Sequence, residues 1–316
     1  GQYEEMRHCI ACNQGCVDRL LLEGRHASCI LNPACGREEE FAFEPVTESK
    51  KVVVIGGGPA GMEAARIAKD RGCEVTLFEA TDKLGGQWRL AGKPPKKYEI
   101  AGDVEWLINC LSRRQVDVRL NTPATKENVQ AENPDLIILA TGSQPSKPKV
   151  EGINSPKVLL AHEVLEDPSK VGQKVVVVGG GATGMETAEF LGEMGKEVTV
   201  IEAMEDVAKT IGPARKHFLM ERLHQYQVKL RLHTRLEKVT NQGVEICCEQ
   251  NSFIPADNVV IAVGVTSVND LKDELKSIAP VKVIGDAKEP RTAMNAFYEA
   301  NEVARSMFTE KELVGV

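Results

Sequence analysis

The sequence has no apolar run that approaches the ~18 residues needed to cross a bilayer, so it lacks the signature of a membrane-spanning helix. Basic residues are not in excess, because 39 lysines and arginines face 46 aspartates and glutamates, and this balance argues against nucleic-acid binding. Residues 1–7 lack the apolar core of a signal peptide. We therefore expect a cytoplasmic, reducing location in which the nine cysteines are not structural disulfides.

Cysteine is concentrated at the start of the chain, with five of the nine within the first 35 residues. The first four, Cys9, Cys12, Cys16 and Cys29, have the spacing C-x2-C-x3-C-x12-C. One thiolate for each iron suits a [4Fe–4S] cluster, whereas zinc more often takes two C-x2-C pairs. The spacing predicts these four cysteines as cluster ligands, with zinc as the alternative metal and Cys35 as a possible spare thiol.

An internal repeat organises the rest of the chain. Val52–Ala80 and Val175–Ala203 lie 123 residues apart and share 16 of 29 aligned residues. Each copy passes from a β-branched apolar run through glycines into a helical pattern and then into a second strand that ends in glutamate. This order predicts two βαβ units of the Rossmann type in an α/β fold.

Each copy also carries the dinucleotide-binding fingerprint, in which three glycines allow a tight turn, a close approach of backbone to pyrophosphate, and close helix packing. The fingerprint glycines are Gly56, Gly58 and Gly61 in the first copy and Gly179, Gly181 and Gly184 in the second. Glu79 and Glu202 each follow 23 residues after the first glycine, where a carboxylate binds ribose hydroxyls and repels a 2′-phosphate. We expect FAD at the first site and NAD rather than NADP at the second.

Four further segments are predicted to complete these sites. Asp135–Gly142 and Asp257–Gly264 have the pattern of late strands that return to the edge of each site. Gly86 and Gln87 belong to a glycine turn that could form another wall of the first site. Asp286 ends a strand and could hold the ribityl and pyrophosphate groups of a flavin, or it could be a helix cap.

Three other patterns carry little chemistry. Neither repeated domain contains a C-x2-C or C-x4-C pair, which argues against a disulfide reductase, and the six histidines show no metal-binding spacing. The basic stretch Lys93–Lys97 indicates a surface loop stiffened by proline. No side chain is predicted to act as a general acid or base, so we assign no catalytic residue.

These motifs together resemble one group of flavoenzymes. The stretches Cys9–Arg19 and Ser28–Glu38, the first glycine loop, DKLGGQ, ATGS and GDAKEPRTA look like the C-terminal part of 2,4-dienoyl-CoA reductase, 2-enoate reductases and trimethylamine dehydrogenase. The resemblance implies that FAD contacts a set of residues in the first domain, Gly56, Gly58, Pro59, Ala60, Gly61, Glu79, Gly86, Gln87, Thr141, Gly142, Asp286, Arg291, Thr292 and Ala293. It implies that NADH contacts a set in the second, Gly179, Gly181, Ala182, Thr183, Gly184, Glu202 and Gly264.

The resemblance also implies a domain plan and a function. We expect an iron–sulfur segment at 1–44, an FAD-binding domain at 45–145 and 267–316, and an inserted NAD(H)-binding domain at 146–266. In the family, electrons pass from NADH through FAD and the [4Fe–4S] cluster to FMN in an old-yellow-enzyme barrel. Because the cysteine loop begins at residue 9, we expect this barrel to be a partner domain or subunit.

The expected activity is that of an NADH:acceptor oxidoreductase, similar to a diaphorase. The alternative is a structural module that binds ADP or FAD, relays electrons or supports assembly, and has no NADH activity of its own.

Overall fold

The structure, a computed structural model, describes residues 3–42, 44–248 and 250–309. The last seven residues of the predicted FAD-binding domain lie outside the described part. Contacts divide the chain into two compact units: unit 1 comprises 1–89, 99–144 and 266–316, and unit 2 comprises 90–98 and 145–265. The domain boundaries drawn from the sequence stay a prediction.

Fifteen strands are described, in chain order β1 Lys51–Ile55, β2 Glu74–Phe78, β3 Asp117–Arg119, β4 Leu136–Leu139, β5 Ser143–Pro145, β6 Val158–Leu160, β7 Lys174–Val178, β8 Glu197–Ile201, β9 Lys229–Arg231, β10 Arg235–Thr240, β11 Gly243–Cys247, β12 Asn251–Pro255, β13 Asn258–Ile261, β14 Val265–Ser267 and β15 Val281–Val283.

The α-helices of the described residues are α1 Arg19–Leu21, α2 Pro59–Asp70, α3 Gly86–Ala91, α4 Tyr98–Arg113, α5 Lys126–Ala131, α6 Ala161–Glu166, α7 Ala182–Glu193, α8 Pro213–Gln225, α9 Lys272–Leu275 and α10 Ala293–Ser306. Short 3₁₀ turns lie at Tyr3–Glu5, Pro168–Lys170 and Gly285–Ala287, and a π-helical turn lies at Gln14–Asp18. Within these described helices, none combines the length and apolarity needed to cross a membrane.

Unit 1 contains a five-stranded parallel sheet with the order β15-β4-β1-β2-β3. The last four residues of β1 are buried, as expected of a valine-rich strand covered on both faces. The strand order reverses between β1 and β4, and ligands of such sheets bind at the carboxyl ends of the strands beside this point. The first glycine loop follows β1, so it lies at this switch point.

Unit 2 repeats the arrangement with a parallel sheet of order β6-β13-β7-β8-β9. Its switch point lies between β7 and β13, and the second glycine loop follows β7. An antiparallel sheet β10-β11-β12 is added, and its apolar residues join those of β7 and β13 in one core cluster. The predicted α/β fold with two Rossmann-type sheets is thereby confirmed. Strands β5 and β14 form a separate two-stranded sheet.

Candidate functional site: two nucleotide crevices and a cysteine segment

The first glycine loop is shaped for close contact with a ligand. Gly56 has φ +106°, and a Cβ atom there would lie 2.3 Å from the carbonyl oxygen of Ala140, so only glycine fits. A Cβ atom on Gly61 would lie 1.9 Å from the carbonyl oxygen of Gly56, which shows how tightly α2 packs on the loop. Gly58 is different, because a Cβ atom there would meet nothing within 4 Å. This open position precedes Pro59 at the start of α2, where proline has no N–H and the free N–H of Ala60 can receive a phosphate.

Glu79 is fixed beside this loop. Its Oε2 accepts a hydrogen bond from the backbone N–H of Gly57 at 2.8 Å, and its Oε1 accepts bonds from the N–H and hydroxyl of Thr81, each at 2.8 Å. Three donors hold the carboxylate, and Oε2 retains one acceptor site for a ribose hydroxyl. The geometry therefore suits the role predicted for Glu79.

A second wall of the unit 1 site is built around a residue that the sequence analysis did not assign, Ser143. The amide of Gln87 donates to the Ser143 carbonyl at 3.0 Å and to its Oγ at 2.8 Å. Ser143 Oγ donates to Asp286 Oδ2 at 2.9 Å, and Asp286 Oδ1 accepts from the N–H of Arg291 at 3.2 Å. The structure thus brings Gln87, Asp286 and Arg291 together. The motif ATGS at the end of β4 was the available signal for Ser143.

The remaining residues predicted for this site lie at the ends of the same elements. Gly86 begins α3 with φ +48°, and a Cβ atom there would lie 3.2 Å from the Cα of Gly58. Gly142 has φ +74° and follows Thr141, whose hydroxyl donates to the Val268 carbonyl. These contacts place the predicted turn residues against the glycine loop and the end of β4.

The alternative interpretation of Asp286 as a helix cap is wrong for α10. Thr292 occupies the N-cap position before Ala293, and it forms a capping box with Asn295. Asp286 lies instead in the 3₁₀ turn that follows β15. Its carboxylate therefore does not cap α10 and instead accepts hydrogen bonds from Ser143 and from the N–H of Arg291.

The side chain of Arg291 is already engaged. Its guanidinium pairs with Glu299 of α10, which also accepts from Lys288 Nζ at 2.9 Å and from the N–H of Gly285 at 2.8 Å. Burial raises the pKa of Glu299, but the three donors outweigh burial and hold the pKa below its usual value. The guanidinium of Arg291 is therefore not free to bind a ligand at this site. Arg291 contributes through its backbone N–H, which donates to Asp286.

Unit 2 contains a cavity of about 590 Å³ at the carboxyl end of its sheet. Its lining is formed by the glycine loop, by the ends of β7 and β8, by residues that follow β8 and β13, by the start of β10 and by one proline before β6. These residues are Pro148, Val178, Gly179, Gly181, Ile201, Glu202, Ala203, Met204, Thr234, Arg235, Leu236, Ala262, Val263 and Gly264. The volume lies within the usual ~300–1,000 Å³ of small-molecule sites.

The second glycine loop reproduces the first. Gly179 has φ +111°, and a Cβ atom there would lie 2.4 Å from the Ala262 carbonyl oxygen, whereas a Cβ atom on Gly181 would meet nothing within 4 Å. Glu202 Oε2 accepts from the N–H of Gly180 at 2.5 Å, and its Oε1 accepts from the N–H of Met204 at 2.8 Å. Open space at the helix N-terminus and a fixed carboxylate again lie side by side.

The other residues predicted for the second site divide into two groups. Gly264, with φ +114°, lines the cavity. Ala182 and Thr183 begin α7 behind Gly181, and Gly184 packs against the Gly179 carbonyl, with its hypothetical Cβ only 2.0 Å from that oxygen. Their part is to place the helix N-terminus.

The segment Thr234–Leu236 lines the same cavity and was not predicted. It lies far along the chain from both glycine motifs, and no local pattern marks it as ligand-binding. The antiparallel sheet that contains β10 packs on the parallel sheet, and this packing brings the start of β10 to the switch point of unit 2. Arg235 adds an exposed guanidinium to the lining.

The Lys93–Lys97 stretch is only in part the surface loop expected from its composition. The side chain of Lys97 is 16% exposed and pairs with Glu186 of α7, which also pairs with Arg215 at 3.5 Å. Burial lowers the pKa of Lys97, and the carboxylate of Glu186 opposes that shift. The final lysine is therefore a partly buried ion-pair member within unit 2.

The cysteine segment folds back on itself. The N–H of Ser28 donates to the Gly15 carbonyl at 2.6 Å, and a Cβ atom on Gly15 would lie 2.9 Å from the Cα of Cys29. The N–H of Ala11 donates to Cys9 Sγ at 3.3 Å. Backbone from both parts of the predicted ligand set therefore lies in contact.

Several thiols of this segment influence one another. Burial raises the pKa of Cys12, and the nearby thiols of Cys29 and Cys16 add to the effect, while N–H groups of Gln14 and Gly15 oppose it. Burial also raises the pKa of Cys35, again with contributions from Cys29 and Cys16.

Across residues 3–42, 44–248 and 250–309, no three or more His, Cys, Asp or Glu side chains form a group arranged to hold a metal ion. The neighbouring thiols with backbone donors nevertheless match the chemistry of a thiolate-bound cluster. The cluster is thus a proposal, and Cys35 is a further candidate beside Cys29.

Comparisons with known proteins agree with this architecture. A family profile described as pyridine nucleotide-disulphide oxidoreductase matches residues 15–100 and 50–283. The chain is 37% identical over 311 residues to cinnamate reductase of Clostridium sporogenes and 40% identical over 309 residues to bilirubin reductase of Mediterraneibacter gnavus. Each alignment covers 97% of this chain but 46% and 48% of the relative, so the chain spans about half the length of these curated proteins.

A solved complex of 2-naphthoyl-CoA reductase with 2-naphthoyl-CoA matches at 34% identity with a TM-score of 0.92. That match covers 96% of this chain and 47% of the other. The chain therefore belongs to the pyridine nucleotide-disulphide oxidoreductase family of NAD(P)H- and flavin-dependent enzymes, and it matches the part that binds these nucleotides in reductases of the enoate and dienoyl-CoA type.

Proposed function

We propose that this chain is an NADH:acceptor oxidoreductase module that passes electrons from NADH through FAD to a [4Fe–4S] cluster and on to an FMN-containing partner. The observation that carries the proposal is the repeated pairing of an open glycine with a fixed carboxylate, Gly58 with Glu79 and Gly181 with Glu202. Each pair offers room for a pyrophosphate and an acceptor for ribose hydroxyls at a sheet switch point.

Unit 1 would hold FAD. The N-terminus of α2 would receive the pyrophosphate, Glu79 the adenosine ribose, and the group formed by Gln87, Ser143 and Asp286 the polar chain between the pyrophosphate and the flavin ring. Asp286 supports this assignment because both of its carboxylate oxygens are already oriented by donors from separate segments. A bound flavin would supply the ability to take two electrons together and return them singly.

Unit 2 would hold NADH in its cavity. Glu202 is anchored by two backbone N–H groups and so presents a fixed negative charge where a 2′-phosphate would lie. This charge favours NADH over NADPH. Apart from that discrimination, the lining residues position the ligand and exclude water, and none is assigned proton transfer.

The cysteine segment would hold the cluster through Cys9, Cys12, Cys16 and Cys29. The support is the contact between the two backbone stretches and the soft thiolate chemistry of the donors. Because Cys35 has Cys29 and Cys16 as electrostatic neighbours, it is the matched control among the thiols. Cys29→Ser is expected to lower the iron bound per chain after anaerobic reconstitution, and Cys35→Ser is expected to leave it unchanged. The reverse result would transfer the fourth position to Cys35.

The partner is proposed as an old-yellow-enzyme-like barrel domain or subunit that carries FMN. This proposal rests on the length of the relatives, which are about twice as long as the segment they share with this chain. Near the cysteines, exposed apolar side chains are abundant, with Leu20, Leu21 and Leu22 between 56% and 73% exposed. An apolar surface of this kind is typical of a protein contact.

An anaerobic absorbance spectrum followed by NADH titration tests the function. A flavin spectrum over a broad iron–sulfur shoulder, both bleached by about one and a half equivalents of NADH, is the expected result, because the flavin takes two electrons, the cluster takes one and each NADH supplies two. A chain that binds flavin or ADP but does not respond to NADH would be the structural module instead. NADPH in a parallel titration serves as the control for Glu202.

A further inference from the structure

Arg7 lies two residues before the first cysteine of the segment, yet its guanidinium is directed away from solvent. Its side chain is only 12% exposed, and the carboxylates that it contacts, Glu63 and Asp103, are 1% exposed. Such a buried, multiply bonded arginine is unusual within a loop whose other charged groups, such as Arg25 and Glu23, face solvent.

The contacts of Arg7 join three separate parts of unit 1. Arg7 Nε and Nη2 donate to the two oxygens of Asp103 in α4 at 2.6 and 3.2 Å. Nη1 donates to Glu63 Oε2 in α2 at 3.3 Å and to the carbonyl oxygen of Leu31 at 2.7 Å. One planar group thereby ties helices α2 and α4 to the chain on either side of the cysteines.

Aromatic rings complete the enclosure of this guanidinium. Its central carbon lies 4.7 Å from the ring centroid of Trp106 and 4.6 Å from that of Phe297. Arginine stacks on aromatic faces while its in-plane donors stay free, which lysine does not reproduce. The contacts with these five partners therefore depend on a planar guanidinium with several donors, which lysine lacks.

The carboxylate of Asp103 also connects Arg7 to residues beside the unit 1 crevice. Asp103 Oδ2 also accepts from the indole N–H of Trp88 at 2.8 Å, and Trp88 follows Gln87, which bonds to Ser143. Glu63 lies on α2, the helix that begins at the open glycine. Burial raises the pKa of Glu63, but Arg66 and Arg7 hold it below its usual value, so the carboxylate stays charged.

We propose that Arg7 is a positioning residue that holds the Cys9 and Cys29 stretches together against α2 and α4 before iron binds. Cys9 follows Arg7 by two residues, and Leu31, whose carbonyl Arg7 binds, follows Cys29 by two. The backbone bond from Ser28 to Gly15 joins the Cys29 stretch to the residue before Cys16, and Arg7 adds the tie between the Cys29 stretch and the one that carries Cys9. The inference rests on the proposed cluster site and assigns its preorganisation to a residue outside the ligand set.

The first test uses thiol labelling of the full, iron-free chain with iodoacetamide, mapped by mass spectrometry. Arg7→Met is expected to raise the labelling rate of the half-buried Cys12 and Cys29 about tenfold or more, because loss of one partner in a buried ion pair favours local opening. Cys73 and Cys110, which are buried in unit 1, should stay protected and so report an intact fold. Arg25→Met, which removes an exposed guanidinium from the same segment, should label like the wild type.

Two further variants separate positioning from simple charge burial. Arg7→Met leaves Asp103 without its cation, and the double variant Arg7→Met/Asp103→Asn removes that unpaired charge. The double variant is expected to retain fast labelling, because the Leu31 carbonyl still lacks its donor. Arg7→Lys should recover part of the protection, since one ammonium can reach one partner. Wild-type protection in either Arg7→Met or the double variant would overturn the proposal.

The second readout is the release of iron to a chelator after anaerobic reconstitution. Arg7→Met should lose iron about tenfold faster than wild type and Arg25→Met should not, with equal flavin content in all three. A wild-type chain that takes up no iron would refute the cluster, whereas the labelling result would still decide whether Arg7 preorganises the segment. The two failures are therefore distinguishable.

Discussion

The hydroxyl of Ser143 donates a hydrogen bond to the carboxylate of Asp286 at 2.9 Å, although 143 residues separate the two in sequence. Ser143 in turn accepts from Gln87, so three segments meet at one side chain. The relationship explains how a turn after β15 reaches the crevice between β1 and β4. It also makes Asp286 the residue of this group whose change should be most informative.

Asp286→Ala should weaken flavin binding by about 10- to 100-fold, since a charged hydrogen-bond acceptor contributes about 1.5–3 kcal/mol. The measurement is titration of the flavin-free chain with FAD, followed by flavin fluorescence. Asp273→Ala is the matched control, because Asp273 is 87% exposed and pairs with Lys276 on the surface. Unchanged FAD affinity in Asp286→Ala would remove this group from the flavin site.

Substitutions at two glycines of the unit 2 loop, Gly181 and Gly184, should separate the effect on NADH binding from the effect on the stability of the fold. Gly181→Ala should leave the free energy of unfolding within about 0.5 kcal/mol, because its extended backbone and open surroundings accept a Cβ atom. The same methyl group would occupy space needed by the pyrophosphate, so NADH affinity should fall about tenfold or more.

Gly184→Ala, in contrast, should lower the free energy of unfolding. Its Cβ atom would lie 2.0 Å from the Gly179 carbonyl, and the helix must shift at a cost of about 1–3 kcal/mol. Urea unfolding and NADH titration of both variants give the comparison. Full NADH affinity in Gly181→Ala would place the coenzyme elsewhere.

Glu202→Gln should reduce the preference for NADH over NADPH by about tenfold or more, because it removes the negative charge that repels the 2′-phosphate. Arg235 lines the same cavity and is retained, which should help the variant to accept NADPH. The ratio of kcat/KM values for the two coenzymes measures the change. Glu205→Gln, at a neighbouring side chain that is 77% exposed, should keep the wild-type ratio.

His162 should make unit 2 sensitive to mild acid. Burial in α6 lowers its pKa from the ordinary value of 6.5, so between its folded pKa and 6.5 the unfolded chain binds more protons than the folded one. The stabilisation is therefore complete above 6.5 and is lost as the pH falls through that window.

The free energy of unfolding, measured by urea titration between about pH 8 and pH 5.5, should show this decline while carboxylates remain ionised. His162→Gln should flatten it. His217→Gln, at an exposed histidine of α8, should retain the wild-type slope. Equal slopes in all three chains would exclude the histidine as the source.

Local patterns of the sequence determined much of this protein. β-Branched runs followed by glycines predicted two parallel sheets, because a buried strand and a tight turn depend on residues that are neighbours in the chain. The same reasoning placed Glu79 and Glu202 at the ends of their second strands, and each carboxylate lies on its glycine loop. Where geometry follows directly from a short segment, the sequence was sufficient to predict it, and the nucleotides that these segments would bind stay a prediction.

Contacts between distant segments were decided only by the tertiary structure. Ser143 joins Gln87 to Asp286, Arg7 joins the cysteine segment to α2 and α4, and Arg235 reaches a crevice whose motifs lie far from it. The composition around Lys97 predicts a surface loop, but its side chain is 16% exposed and pairs with Glu186. Sequence spacing determines the geometry of a turn, but the order of strands and the packing of helices determine which remote side chains meet, and no local pattern records that order.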